Sequence, residues 1–153
     1  MTARQYGLSA CALALLLLAA SMLWGSRAFA ADTPHVMDAW VRLPAVAGRP
    51  AGGYFMAHGT AKADALVAVT SPKAERVELH SMVNEGGVMK MRAEKSFPLP
   101  ARGALTFAPG GSHLMIYGLA ADVQPGAKVP LTFQFQSGAK VTVQAEARAA
   151  SAP

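Results

Sequence analysis

Short runs in which apolar and polar residues alternate with a period of two dominate this chain, and Gly and Pro break them at regular intervals. Alternation of this kind puts one face of an extended strand toward a core and the other toward solvent. No segment after the first thirty residues sustains a helical period. The pattern predicts strands over residues 35–43, 53–58, 65–70, 76–83, 88–92, 104–108, 113–118, 128–136 and 140–147. The last two are the clearest. Val129, Leu131, Phe133 and Phe135 alternate with polar residues, and after Ser137-Gly138 the alternation resumes with Val141 and Val143. That is a terminal β-hairpin. Residues 44–50, Pro98-Leu99-Pro100 and Pro109-Gly110-Gly111 read as turns or loops. Many short strands at this spacing predict an all-β sandwich or barrel. Trp40, Tyr54, Phe133 and Phe135 read as core.

The first thirty residues differ from the rest. Arg4 provides a short basic start, residues 8–24 are almost wholly apolar, and Ala28-Phe29-Ala30 matches the small-residue cleavage pattern of an export signal. Cleavage after Ala30 is expected, leaving a mature chain that begins at Ala31. A retained anchor is the alternative, but the apolar run is near the lower length limit for a spanning helix. Leu8-Ser9-Ala10-Cys11 resembles a lipobox, yet Cys11 stands near the start of the apolar run, where a lipobox should end it. The expected product is periplasmic and does not span the membrane.

Removing 30 of 153 residues leaves 123, a length that fits one domain, here 31–147, with a disordered Ala-rich tail over 148–153. The formal charge falls from +5 to +3, because Arg4 and Arg27 leave with the signal. The remaining Lys and Arg are scattered, which argues for a solvated surface and against a nucleic-acid footprint. Cys11 is the only cysteine, so the mature chain has no disulfide framework, thiol redox chemistry or cysteine nucleophile. There is no nucleophile–base signature, phosphate loop or zinc motif, so an enzyme is not expected. A monomer is.

The candidate chemistry lies in His80, Met91, His113 and Met115. Imidazole with thioether is a soft set that suits Cu(I) better than zinc, magnesium or calcium. Met also remains a copper ligand in an oxidising compartment, where two cysteines would pair. A turn within Asn84-Glu85-Gly86-Gly87 joins two strands. A two-residue turn at Glu85-Gly86, or a four-residue loop, sets His80 opposite Met91 and Met82 opposite Met89. It also sets Leu79 opposite Arg92 and Ser81 opposite Lys90. Directly opposed side chains have Cβ atoms about 4.5–5.5 Å apart, which one ion can bridge. His113 and Met115 are two apart and share a strand face. Each residue singly reads more readily as core packing than as a ligand; two His-plus-Met pairs argue more strongly for a site.

Here the chain resembles the periplasmic copper chaperones of the PCuAC type. Their motif is His, ten residues, Met, twenty-one residues, His-x-Met, and His80, Met91, His113 and Met115 match all four positions. The resemblance extends to Asp38-Ala39-Trp40-Val41-Arg42, to Gly86-Gly87-Val88-Met89-Lys90-Met91-Arg92 and to the Pro-Gly-Gly before His113. It implies a cupredoxin-like Greek-key barrel that binds one Cu(I) per chain. It implies delivery to the CuA centre of cytochrome c oxidase, directly or through another copper carrier, with an oxidase subunit or an assembly factor as the acceptor. Some relatives carry a His- and Met-rich C-terminal extension for Cu(II); the residues from Ala147 to Pro153 contain no His or Met, which puts a Cu(II) site of that kind in doubt.

The remaining candidates read more plainly. Met82 and Met89 are expected to pack beside the ligands. His35 and Met37 form another His-x-Met pair, with no second half nearby, and read as structural or incidental. His58, before Gly59, reads as a turn residue. Glu75, Glu78 and Glu85 read as surface charges. A copper-sequestering protein would need the same site as a chaperone. A blue-copper carrier would need a Cys thiolate. A metal-free binding sandwich would bind no Cu(I).

Overall fold

The computed structural model describes residues 32–151. The expected export segment, Cys11 within it, and the last two residues of the expected tail lie outside these. The described residues form ten strands: β1 (His35–Arg42), β2 (Ala51–His58), β3 (Asp64–Thr70), β4 (Arg76–Glu85), β5 (Val88–Glu94), β6 (Phe97–Leu99), β7 (Ala104–Phe107), β8 (His113–Tyr117), β9 (Lys128–Phe135) and β10 (Lys140–Arg148). They build one sheet in the order β5-β4-β8-β2-β1-β10-β9-β3-β6, with β7 also paired to β2. Every pairing is antiparallel except β1 with β10, the first strand with the last. The fold is cupredoxin-like.

Alternation closes the core. In β9, Val129, Leu131, Phe133 and Phe135 are buried while the residues between them are not, as the pattern of the sequence predicts. Phe55 of β2 packs on Phe107 of β7 and Phe133 of β9, with ring centres 4.5 and 4.6 Å apart. Phe97 of β6 meets Phe107 at 4.7 Å. These rings tie strands from distant parts of the sheet order to one another, so the sheet curls around a shared interior.

Three expectations need correction. Phe97–Leu99 is a strand, not a loop. It pairs with β3 at the edge of the sheet, and an edge strand tolerates the donor that Pro98 lacks. Arg148 belongs to β10, not to a disordered tail. It stands opposite Arg42, its carbonyl accepts from the Leu43 amide at 2.9 Å, and its guanidinium lies 4.8 Å from the Trp40 ring centre. Trp40 is outside the hydrophobic core. It is half-buried on the outer face, 4.5 Å from the Tyr54 ring and with Arg42 at 5.2 Å.

Candidate metal centre

Strands β5, β4 and β8 lie side by side, and their alternation sorts their residues cleanly. Leu79 and Leu114 point into the core and are almost wholly buried. Their neighbours His80 and His113 therefore point to the outer face. The two histidines are directly opposed across the β4–β8 pair, as Glu78 is to Met115. His80 and His113 are the buried polar residues among those described, 8% and 9% exposed. Their ring centres are 5.8 Å apart. With metal–nitrogen bonds of about 2 Å, two imidazoles can share one ion with ring centres up to about 6.4 Å apart. The observed separation falls inside that limit.

Each ring has one nitrogen held and one left over. Nε2–H of His80 donates to Oε2 of Glu78 at 3.0 Å. Glu78 can only accept, so the free lone pair of the neutral ring is on Nδ1, which is buried and without a partner. Nδ1–H of His113 donates to the Gly111 carbonyl at 2.9 Å, which leaves the lone pair on Nε2. The turn before β8 sets that carbonyl. The Gly111 amide bonds the Ala108 carbonyl at 3.0 Å, and Gly110 between them has φ +80°. Pro followed by a positive-φ Gly is the signature of a type II turn.

Glu78 is held in turn. Arg76 Nε donates to its Oε1 at 2.7 Å, and the Arg76 guanidinium lies 4.0 Å from the Tyr117 ring centre. The hydrogen bond from His80, helped by the charge and hydrogen bond of Arg76, holds the Glu78 carboxyl below its usual range despite the opposing pull of burial. Glu78 was expected to be a surface charge. Its Glu-x-His spacing, which puts both side chains on one strand face, was the signal for its role. Glu85 does behave as a surface charge, pairing with Lys90 at 2.9 Å and Arg92 at 2.7 Å.

The thioethers are arranged differently from expectation. In the β4–β5 hairpin Met82 faces Met91, His80 faces Ala93 and Asn84 faces Met89. The turn is at Gly86-Gly87, one residue later than expected, because both glycines have positive φ, +63° and +86°. A two-residue turn that matches strand twist needs positive φ at both positions, and Glu85 would be strained there. Met91 therefore lies diagonal to His80 on the same face, with Cβ atoms about 7 Å apart, within reach of a long flexible side chain. Leu79 now faces Glu94 and Ser81 faces Arg92, and the Ser81 hydroxyl donates to Glu94 at 2.7 Å. Met115 is half-buried beside the histidines, whereas Met89 and Met91 are each 50% exposed. Among the described residues no group of three or more His, Cys, Asp or Glu gathers.

The chain has relatives. Residues 35–147 match the family described as "Putative lipoprotein LpqE-like". The chain is 37% identical over 109 residues to "Putative lipoprotein Lxx21020" of Leifsonia xyli subsp. xyli (strain CTCB07), covering 71% of this chain and 65% of that protein. It thus spans just under two thirds of that relative. Among solved structures it resembles the "Copper-bound PCuAC domain from PmoF2", with TM-score 0.65 and 24% identity over 79% of this chain and 97% of that domain. It also resembles CuI-DR1885 from Deinococcus radiodurans, with TM-score 0.60 and 24% identity over 84% of this chain and 85% of that one. The chain belongs to the LpqE-like family and has the fold of the PCuAC domains.

Proposed function

We propose that this protein is a periplasmic Cu(I) carrier. It holds one ion with His80, Met91, His113 and Met115 and passes it on without catalysing a reaction. The observation that carries the reading is the anchoring of the two buried imidazoles. Each donates one N–H to a fixed acceptor and turns a free lone pair away from it, the arrangement by which proteins orient metal-bound histidine. The thioethers make the set soft. The copper named for the PmoF2 domain and the Cu(I) named for the Deinococcus radiodurans protein support the same metal here. Among the described residues no helix is long and apolar enough to cross a membrane. The lipoprotein names of the family and of the Leifsonia relative support export; the proposed place of work is the periplasm, reached with an export signal over 1–30 cleaved after Ala30.

The proposed recipient is the CuA centre of cytochrome c oxidase, reached directly or through another copper carrier. The exposure of Met91 suits transfer, because an incoming ligand can replace it while the buried imidazoles still hold the ion. The test is a competition titration of Cu(I) against a chromophoric chelator, comparing wild type with His113→Ala/Met115→Ala. One tight equivalent lost in the double variant supports the site; no tight binding by the wild type refutes it. Delivery further predicts that loss of the gene lowers oxidase activity at limiting copper and that added copper restores it. Sensitivity to excess copper with normal oxidase would instead assign sequestration.

A further inference from the structure

The pair His35-Val36-Met37 has a second half, which is Met56-Ala57-His58. Strands β1 and β2 run antiparallel with His35 directly opposite His58 and Met37 directly opposite Met56. Val36 and Ala57, between them, are buried at 5% and 0% exposure. All four of His35, Met37, Met56 and His58 therefore face outward. The histidines are exposed and the methionines half-buried. Directly opposed residues have Cβ atoms about 4.5–5.5 Å apart, so each pair lies within the span of one ion. Nothing large crowds the patch from the far side of β2, where β7 sets Ala104 beside His58 and Thr106 beside Met56. On the other side β10 reaches β1 only at Trp40–Arg42.

We infer that His35, Met37, Met56 and His58 form a second soft-metal site that takes a Cu(I) ion. Two imidazoles and two thioethers are the donor types that favour this ion, and the strand register brings all four to one patch. The site is the weaker of the two. No hydrogen bond holds either ring among the described residues, whereas Glu78 and Gly111 fix His80 and His113. Outer partners of this kind are worth about 10–100-fold in metal affinity. The inference stands on different residues from the centre proposed above, so either can fail alone.

The test is an anaerobic Cu(I) titration of residues 31–153, which contain no thiol, against a chromophoric chelator. Two equivalents are expected, the second at least about tenfold weaker. His35→Ala/His58→Ala should lose the second equivalent and keep the first; His113→Ala/Met115→Ala should do the reverse. Both imidazoles of the second site are exposed, so their removal leaves the core intact. In NMR spectra the Met37 and Met56 methyl signals should move with the second equivalent, and Met37→Leu/Met56→Leu should weaken it. A single equivalent in the wild type, a second equivalent that survives loss of both histidines, or stationary methyl signals would overturn the inference.

Discussion

Replacing Glu78 by alanine separates the residue that positions a ligand from the ligand itself. Glu78 does not reach for the ion in this arrangement; one carboxylate oxygen accepts from His80 and the other from Arg76. Without it, Nε2–H of His80 loses its acceptor in a side chain only 10% exposed. Leaving a buried donor unpaired costs about 1–3 kcal/mol, so the metal-free protein should melt lower. The ring also loses the contact that fixes its tautomer and tilt. Losses of this kind lower metal affinity by about 10–100-fold, which is about 1.4–2.7 kcal/mol. Copper should then bind Glu78→Ala at unchanged stoichiometry and with affinity lower by that factor.

The assay is the chelator competition, run beside a thermal melt. Glu78→Gln should recover most of the affinity, since its amide oxygen still accepts from Nε2–H. Glu85→Ala removes an equal charge from the exposed hairpin and should leave affinity unchanged. Affinity in Glu78→Ala equal to wild type would refute the positioning role. An equal fall in Glu85→Ala would mean that net charge, and not the contact with His80, governs binding.

Met91→Ala and Met115→Ala should each weaken Cu(I) much more than Met82→Ala or Met89→Ala in the same titration; equal losses would sink the four-ligand assignment. Gly86→Val/Gly87→Val forces two branched residues into positive φ, at about 1–2 kcal/mol each, and an unchanged melting temperature would contradict the turn described. Stability should fall in acid. His80 and Arg76 lower the Glu78 carboxyl. In Asp64, burial opposes the change, but hydrogen bonds from the Ser137 hydroxyl and from the Ala65, Ser137 and Gln136 amides lower it. The unfolded chain therefore binds more protons than the folded one through the carboxylate range. The stabilisation is complete above the ordinary carboxylate values and is lost as pH drops through the lowered folded values. Melts from pH 6 to pH 3 should show this, and Glu78→Gln/Asp64→Asn should flatten the slope; an unaltered slope would count against it.

Strand period was the legible part of the fold, because burial on one face imposes it residue by residue. β9 could be read from Val129, Leu131, Phe133 and Phe135 without any tertiary knowledge. β6 could not, since three residues around Pro98 carry no period and pair only because β3 presents a free edge. The register of the β4–β5 hairpin turned on a single residue. Asn84-Glu85-Gly86-Gly87 accommodates a turn at either of two places, and the choice follows from which residues bear positive φ. Adjacent glycines are the better pair. The same reasoning would have moved Met91 from beside His80 to beside Met82. Glu78 was missed because a Glu among Arg76, Lys90 and Arg92 looks like one more surface charge. The partner of His35 was hidden by distance, as 22 residues separate it from His58. A bulge between Met37 and Trp40, where Asp38 takes φ +53°, shifts the register beyond it. A register extrapolated back from Trp40 and Tyr54 would pair neither the histidines nor the methionines.

On the proposed ligand set, exposure orders the donors. The imidazoles lie at 8% and 9%, Met115 is half-buried, and Met91 is at 50% on β5. β5 is an edge strand of the sheet, and Arg92 and Lys90 on it are occupied by Glu85. An approaching acceptor meets thioether before imidazole. A neutral sulfur leaves copper without taking up a proton, whereas a displaced imidazole must be solvated in a pocket where its nitrogen has no partner. Exchange is therefore cheapest at Met91 and costliest at His80. That gradient lets the ion be released stepwise toward the sheet edge while the two anchored rings keep it from being lost to water.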